Sequence, residues 1–170
     1  MKIELKNIKF SESLSEETNA FTADLFINGK KTGYCKNSGQ GGCTDYSWYN
    51  SNDKTIIADA EIYCKSLPKI KYGESEFDSN LESVIDQLFE DWLKQKEQAK
   101  LQKKMNKLMV TAILIGVPNG DRYSYFDLKK PLSTLDRTKL QSYVANLKFK
   151  HCTGGVTILN TNLESIGITI

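Results

Sequence analysis

Asn28-Gly29, set between two runs of alternating apolar and polar residues, constrains this chain more than any other pair. A two-residue hairpin turn needs positive φ at both centres, and Asn-Gly supplies it while matching the twist of the flanking strands. Ahead of the turn, Phe21, Ala23, Leu25 and Ile27 fall on one face and Thr22, Asp24 and Phe26 on the other, the period of a half-buried strand. Lys31 to Lys36 reads as the return strand. Earlier, Ile3, Leu5, Ile8 and Phe10 form a first strand whose alternation slips at Lys6-Asn7, where a bulge restores the register. The result is an N-terminal antiparallel meander with one apolar face that needs cover.

Two helices are expected to cover it. One runs from Asn52, as its cap, to Ser66 ahead of Pro68, with Ile56, Ile57, Ala60, Tyr63 and Cys64 on one side. The other opens on a Ser79/Glu82 capping box and carries the stripe Leu81, Val84, Ile85, Leu88, Phe89, Trp92. Its pattern continues through Leu101, Met105 and Leu108, which predicts a helix of about 25 residues or more. Met109 to Val117 then fits a buried strand, Pro118 to Asp121 a turn, Tyr123 to Phe126 a partner strand, and Ser133 to Leu147 a third helix. Val156 to Ile170 mixes strand-like and turn-like pieces. The fold class is α+β: a meander packed by two to three helices, one of them long, with a short C-terminal strand region. At 170 residues, 1–170 reads as one domain.

Composition narrows the function classes. A chain 39% hydrophobic and 26% charged is ordinary for a folded protein, and no apolar run has the roughly 18 residues of a membrane span. Met1 to Lys6 alternates apolar and charged residues without the apolar centre of a signal peptide, so a cytoplasmic location without membrane contact is expected. Cys35, Cys43, Cys64 and Cys152 lack close metal-ligand spacing, which predicts free thiols and no metal or other cofactor. Net charge +2 excludes a strongly basic nucleic-acid coat, yet 21 of the 23 cations are Lys. Lys meets phosphate as a point charge, whereas Arg supplies the planar fork used to read bases. Any nucleic-acid contact is therefore expected at the backbone, tolerant of sequence.

Charge is segregated around the long helix. Seven acids (Glu74, Glu76, Asp78, Glu82, Asp86, Glu90, Asp91) precede six lysines (Lys94, Lys96, Lys100, Lys103, Lys104, Lys107) that have only Glu97 among them. The helix macrodipole favours this order at each end, but its effect fades within a turn. A solvated face and an interaction surface at Lys96, Lys100, Lys103, Lys104 and Lys107 both remain open.

Gly39, Gly41 and Gly42 allow a nest of backbone N–H groups for an anion, with Asp45 beside them. The same segment also reads as a plain loop crossing from sheet to helix. It lacks the Lys-Ser/Thr ending of a phosphate-binding P-loop. Tyr46, Trp48 and Tyr49 follow, as exposed anchors or as rings packed on the meander. His151 and Cys152 are adjacent, so their side chains diverge on an extended chain, and no nucleophile–base pair is legible. An enzyme is not expected.

The segments Leu14 to Thr18, Phe21 to Leu25, Ile27 to Lys31, Gly41 to Tyr46 and Ile158 to Asn162 together resemble a family of small uncharacterised proteins encoded by phages and prophages of AT-rich bacteria. The resemblance assigns no catalytic or binding residue. It implies a stoichiometric inhibitor of bacterial immunity, anti-CRISPR in kind, acting in the host cytoplasm on a defence effector protein or ribonucleoprotein. A type VI-B RNA-guided RNase or its guide RNA, touched through phosphates, is one such target. A protein sequestering a nucleotide signal in the glycine-rich loop and a cysteine-dependent enzyme are the alternatives.

Overall fold

The computed structural model describes residues 1–73 and 75–170. Glu74, one of the seven acids named above, lies outside the described residues. Contacts group the chain into two compact units, Met1–Leu93 and Lys94–Ile170, where its length alone reads as one domain.

In the first unit β1 (Ile3–Ser11), β2 (Ala20–Ile27), β3 (Lys30–Asn37) and β4 (Asp45–Trp48) form one antiparallel sheet in chain order. Asn28 and Gly29 both take positive φ, 50° and 81°, and the hairpin closes as expected. The start of the chain is fastened to that turn: Asn28 N–H donates to the Lys2 carbonyl at 2.8 Å and Lys2 N–H to Asn28 Oδ1 at 2.9 Å. Register shifts between Lys6 and Lys9, with Asn7 at φ 52°, so the bulge lies where the alternation slips. A second irregularity, unforeseen, makes Thr32 the extra residue of β3. Its buried hydroxyl donates to the Leu25 carbonyl.

The apolar face of β2 meets α1 (Ser51–Lys65) and the opening turns of α2 (Leu81–Leu108). Phe21, Ala23, Leu25 and Ile27 share a core with Ile57, Ala60, Cys64, Leu81, Ile85 and Phe89. Both helix starts differ from expectation. Asn50, not Asn52, caps α1, accepting from Asn52 and Asp53 N–H. At α2 the reciprocal pair is Asn80 with Ser83 (2.8 and 3.0 Å), because Ser79 turns its hydroxyl to the Pro68 carbonyl and Glu82 is drawn to Thr44. Between the helices β5 (Ile70–Tyr72) and β6 (Ser75–Phe77) form a hairpin that alternation did not reveal. Glu76 lies in this hairpin, and Glu76 and Asp78 face Lys71 and Lys69 at 3.4 and 3.6 Å.

In the second unit β7 (Ala112–Gly116) lies between β8 (Tyr123–Asp127) and β9 (Thr157–Ile158). All five β7 residues are buried, which explains their unbroken apolar run. α3 (Arg137–His151) buries Leu140, Val144 and Leu147. It starts four residues later than expected, because Leu132–Thr134 make a separate 3-10 turn and Asp136 provides the cap, accepting from Lys139 N–H at 2.9 Å.

The tail motif at Asn160 extends this sheet by side chain. Asn160 Oδ1 accepts from Leu114 N–H at 2.7 Å, and its Nδ2 donates to the Ala112 carbonyl at 2.9 Å. β9 is only two residues long, so a buried amide supplies the next rung of the ladder. Asn162 similarly reaches the Met109 carbonyl at 2.8 Å.

Candidate functional site

The lysine segment of α2 has the geometry of a stripe. Lys96, Lys100, Lys103, Lys104 and Lys107 recur at three- and four-residue steps, which places them within an arc of about 100° along roughly 16 Å of helix. The other side of the same turns is apolar: Met105 is buried with Met109, Ala112 and Leu114, and Leu101 and Leu108 pack against them. The lysines are exposed, and Lys100, Lys103, Lys104 and Lys107 make no ion pair among the described residues. These four form like-charge pairs at 100/103, 100/104, 103/107 and 104/107. Each such pair disfavours a helix by about 0.2–0.5 kcal/mol, so the stripe is carried at a cost in stability that a polyanion would remove.

The segregation extends beyond this helix. Lys94 to Ile170 holds 13 Lys and Arg against 5 Asp and Glu, a net +8. Met1 to Leu93 holds 10 against 16, a net −6. The overall +2 hides two strongly charged units of opposite sign.

The glycine-rich loop joins β3 to β4, sheet to sheet rather than sheet to helix. Two of its N–H groups are taken by neighbouring side chains: Gly39 donates to Asn37 Oδ1 at 2.9 Å and Gly41 to Thr18 Oγ1 at 3.3 Å. The Gly39 carbonyl accepts from Glu16, Glu17 and Thr18 N–H. At φ 87°, with the Leu14 carbonyl where a Cβ would stand, residue 39 has room only for glycine. A cavity of about 360 Å3 beside the loop is lined by Glu17, Asp86, Glu90 and Asn37 among others, surroundings that repel an anion. Burial raises the Asp86 carboxyl above its ordinary range, even though the Thr44 hydroxyl donates to it at 2.6 Å. Glu82 accepts from Thr44 N–H at 3.0 Å. Thr18, Asn37, Thr44 and Asp86 thus fasten the loop to α2 in one hydrogen-bonded chain. Local spacing does not mark Asn37 and Thr44, because their partners lie up to 42 residues away. Asp45 is exposed and stands opposite Lys36 in the β3–β4 register.

Three aromatics divide between two roles. Tyr46 packs against the core, and its hydroxyl donates to Glu61 at 2.7 Å. Burial and that carboxylate hold its phenol well above the ordinary range. Trp48 and Tyr49 are 43% and 47% exposed, with Lys54 and Lys31 ammonium groups 5.3 and 4.8 Å from their ring centres. These rings belong to the acidic unit and the lysine stripe to the basic one.

Asp24 accepts from Asn7 at 2.6 Å and from Tyr49 at 2.7 Å, with Lys31 at 3.0 Å. Those hydrogen bonds, Asn7's foremost, hold its carboxyl down to about 2. A depressed folded pKa stabilises above the ordinary carboxylate range and loses that contribution as pH falls toward 2. The melting temperature is therefore expected to fall between pH 4 and 2 more steeply in the wild type than in Asp24→Asn. Parallel profiles would show that the cluster is energetically silent.

Cys35 and Cys64 are buried in the core of the first unit, whereas Cys152 is half-buried and Cys43 exposed. Burial pushes Cys35 up to about 12 and also raises Cys64, while the Glu82 carboxylate raises the exposed Cys43. A raised pKa leaves less of the nucleophilic thiolate. His151 lies against Phe126 in a tilted pair, 5.2 Å between ring centres, and no hydrogen bond joins it to a thiol among the described residues. Among those residues, no group of three or more His, Cys, Asp or Glu is arranged to hold a metal ion, and no helix is long and apolar enough to cross a membrane. Compared with protein-family models, with curated proteins and with solved structures, the chain finds no match.

Proposed function

We propose that this chain is a stoichiometric binding protein that engages an RNA-handling effector, or the guide RNA held by it, through its basic unit and so blocks the effector. The stripe of Lys100, Lys103, Lys104 and Lys107, without ion pairs among the described residues, in a unit of net +8 carries this reading. Lysines meet phosphates without demanding a sequence, as suits an inhibitor that must hold whatever guide its target carries. With the N- and C-terminal motifs that resemble phage and prophage proteins, the target class is a bacterial immune nuclease. A type VI-B RNA-guided RNase is the first to assay, in the host cytoplasm.

The test is a salt series of binding to the purified effector, with and without guide RNA, for the wild type and the Lys100→Glu/Lys104→Glu variant. Each lost phosphate contact lowers the slope of log affinity against log salt by roughly 0.7–0.9. The double variant is expected to bind more weakly and less salt-dependently, while its melting temperature holds or rises because two repulsive sites become attractive. Unchanged affinity and slope would make the lysines a solvated face.

A further inference from the structure

We infer that the groove flanking the lysine stripe receives the bases of a single-stranded nucleic acid whose phosphates lie on the lysines. This rests on the proposed engagement of RNA and adds what lies beyond the phosphates. The groove, about 460 Å3, belongs wholly to the C-terminal unit and runs between α2 and the turn that joins β7 to β8. Gln95, Gln98 and Gln102 project from one helix wall, and Asn119 and Tyr123 stand on the other. Its floor is apolar, from Leu101, Met105 and Leu159.

Ala99 lines both this groove and the lysine face. A single methyl group is thus the ridge between a row of cations and a slot of amides, and it leaves a strand free to straddle the helix. That pairing matches the two sides of a single-stranded nucleic acid, which carries a charge per nucleotide on one edge and flat, amide-like faces on the other. The Gln95 and Gln98 amides make no hydrogen bond among the described residues, and Gln102 bonds only its neighbour Asn106, at 2.8 Å. Each amide offers a donor and an acceptor, the pattern a base edge presents. Tyr123 adds a ring for stacking, which every base accepts. A double helix would hold its bases away from the slot.

Binding of the full-length protein to a labelled 12-nucleotide RNA, the DNA of the same sequence, an abasic DNA of the same length and the RNA duplex tests this. The base-bearing single strands are expected to bind at least about tenfold tighter than the abasic strand and tighter than the duplex. RNA favoured over DNA points to the 2′-hydroxyl, and equal binding to bases alone; both support the groove. Gln98→Ala/Gln102→Ala is expected to bring the base-bearing strands down toward the abasic level with the salt slope intact, whereas Lys100→Glu/Lys104→Glu lowers the slope for all. Equal affinity for abasic and base-bearing strands, no effect of the glutamine variant, or equally tight binding of poly-glutamate would overturn the inference. If the effector protein is captured without its guide while no strand binds, the groove assignment fails and the proposed function stands. If neither binds, both fail.

Discussion

Phe89→Ala is expected to leave the N-terminal unit at the margin of unfolding in plain buffer. Phe89 is 2% exposed, stacks on Phe21 with ring centres 4.0 Å apart and planes 12° apart, and meets Phe10 and Trp92 at 5.8 Å. It joins α2 to the sheet, so no single neighbour can move in to fill its place. Truncating a buried Phe costs about 3–5 kcal/mol, set against a total of about 5–15 kcal/mol for an ordinary domain. Urea unfolding followed by tryptophan fluorescence measures this directly, because Trp48 and Trp92 both lie in that unit. The control is Ile62→Ala in the same unit, at 69% exposure, which should shift stability by no more than about 0.5 kcal/mol. Similar midpoints for the two variants would refute this account of the core.

Asn160→Ala should damage the C-terminal unit nearly as much. The side chain is 3% exposed and satisfies both Leu114 N–H and the Ala112 carbonyl in the central strand. Alanine leaves two buried backbone groups without partners, each costing about 1–3 kcal/mol. The expected loss is therefore about 2–6 kcal/mol. Hydrogen exchange gives the local readout: the Leu114 amide should exchange faster in the variant under conditions where the N-terminal amides are unchanged. Retained protection at Leu114 would mean that water or a shifted backbone replaces the asparagine.

What the sequence disclosed was local. The Asn28-Gly29 turn, the slip at Lys6-Asn7, the helical stripe from Leu81 and the apolar run of β7 each depend on spacing within a few residues, and each appears where expected. The misses were choices among equivalent neighbours or effects of distant partners. Asn50 and Asn52 are equally good caps on paper, and Ser79 is a good cap until Pro68 claims its hydroxyl. The lysine stripe was visible because helical spacing alone defines it. The groove beside it was not, since its second wall comes from Asn119 and Tyr123, residues a turn and a strand away. The bonding of the glycine loop was hidden for the same reason: Thr18 and Asn37 take two of its N–H groups.

The order of strands also bears on how the chain is made. β1 to β4 pair only with their neighbours in sequence, and the last helix residues that cover them lie before Lys94. Everything the acidic unit requires has thus been synthesised while the basic unit is still being added, and domains fold in that order as they emerge. β7, in contrast, waits for β9 and for Asn160, 46 residues beyond Leu114. Closing so distant a contact is the slower kind of step. On the ribosome, therefore, the residues of the negatively charged unit precede the lysines, and the β7–β8 pair that follows gains its third strand and the Asn160 rung last.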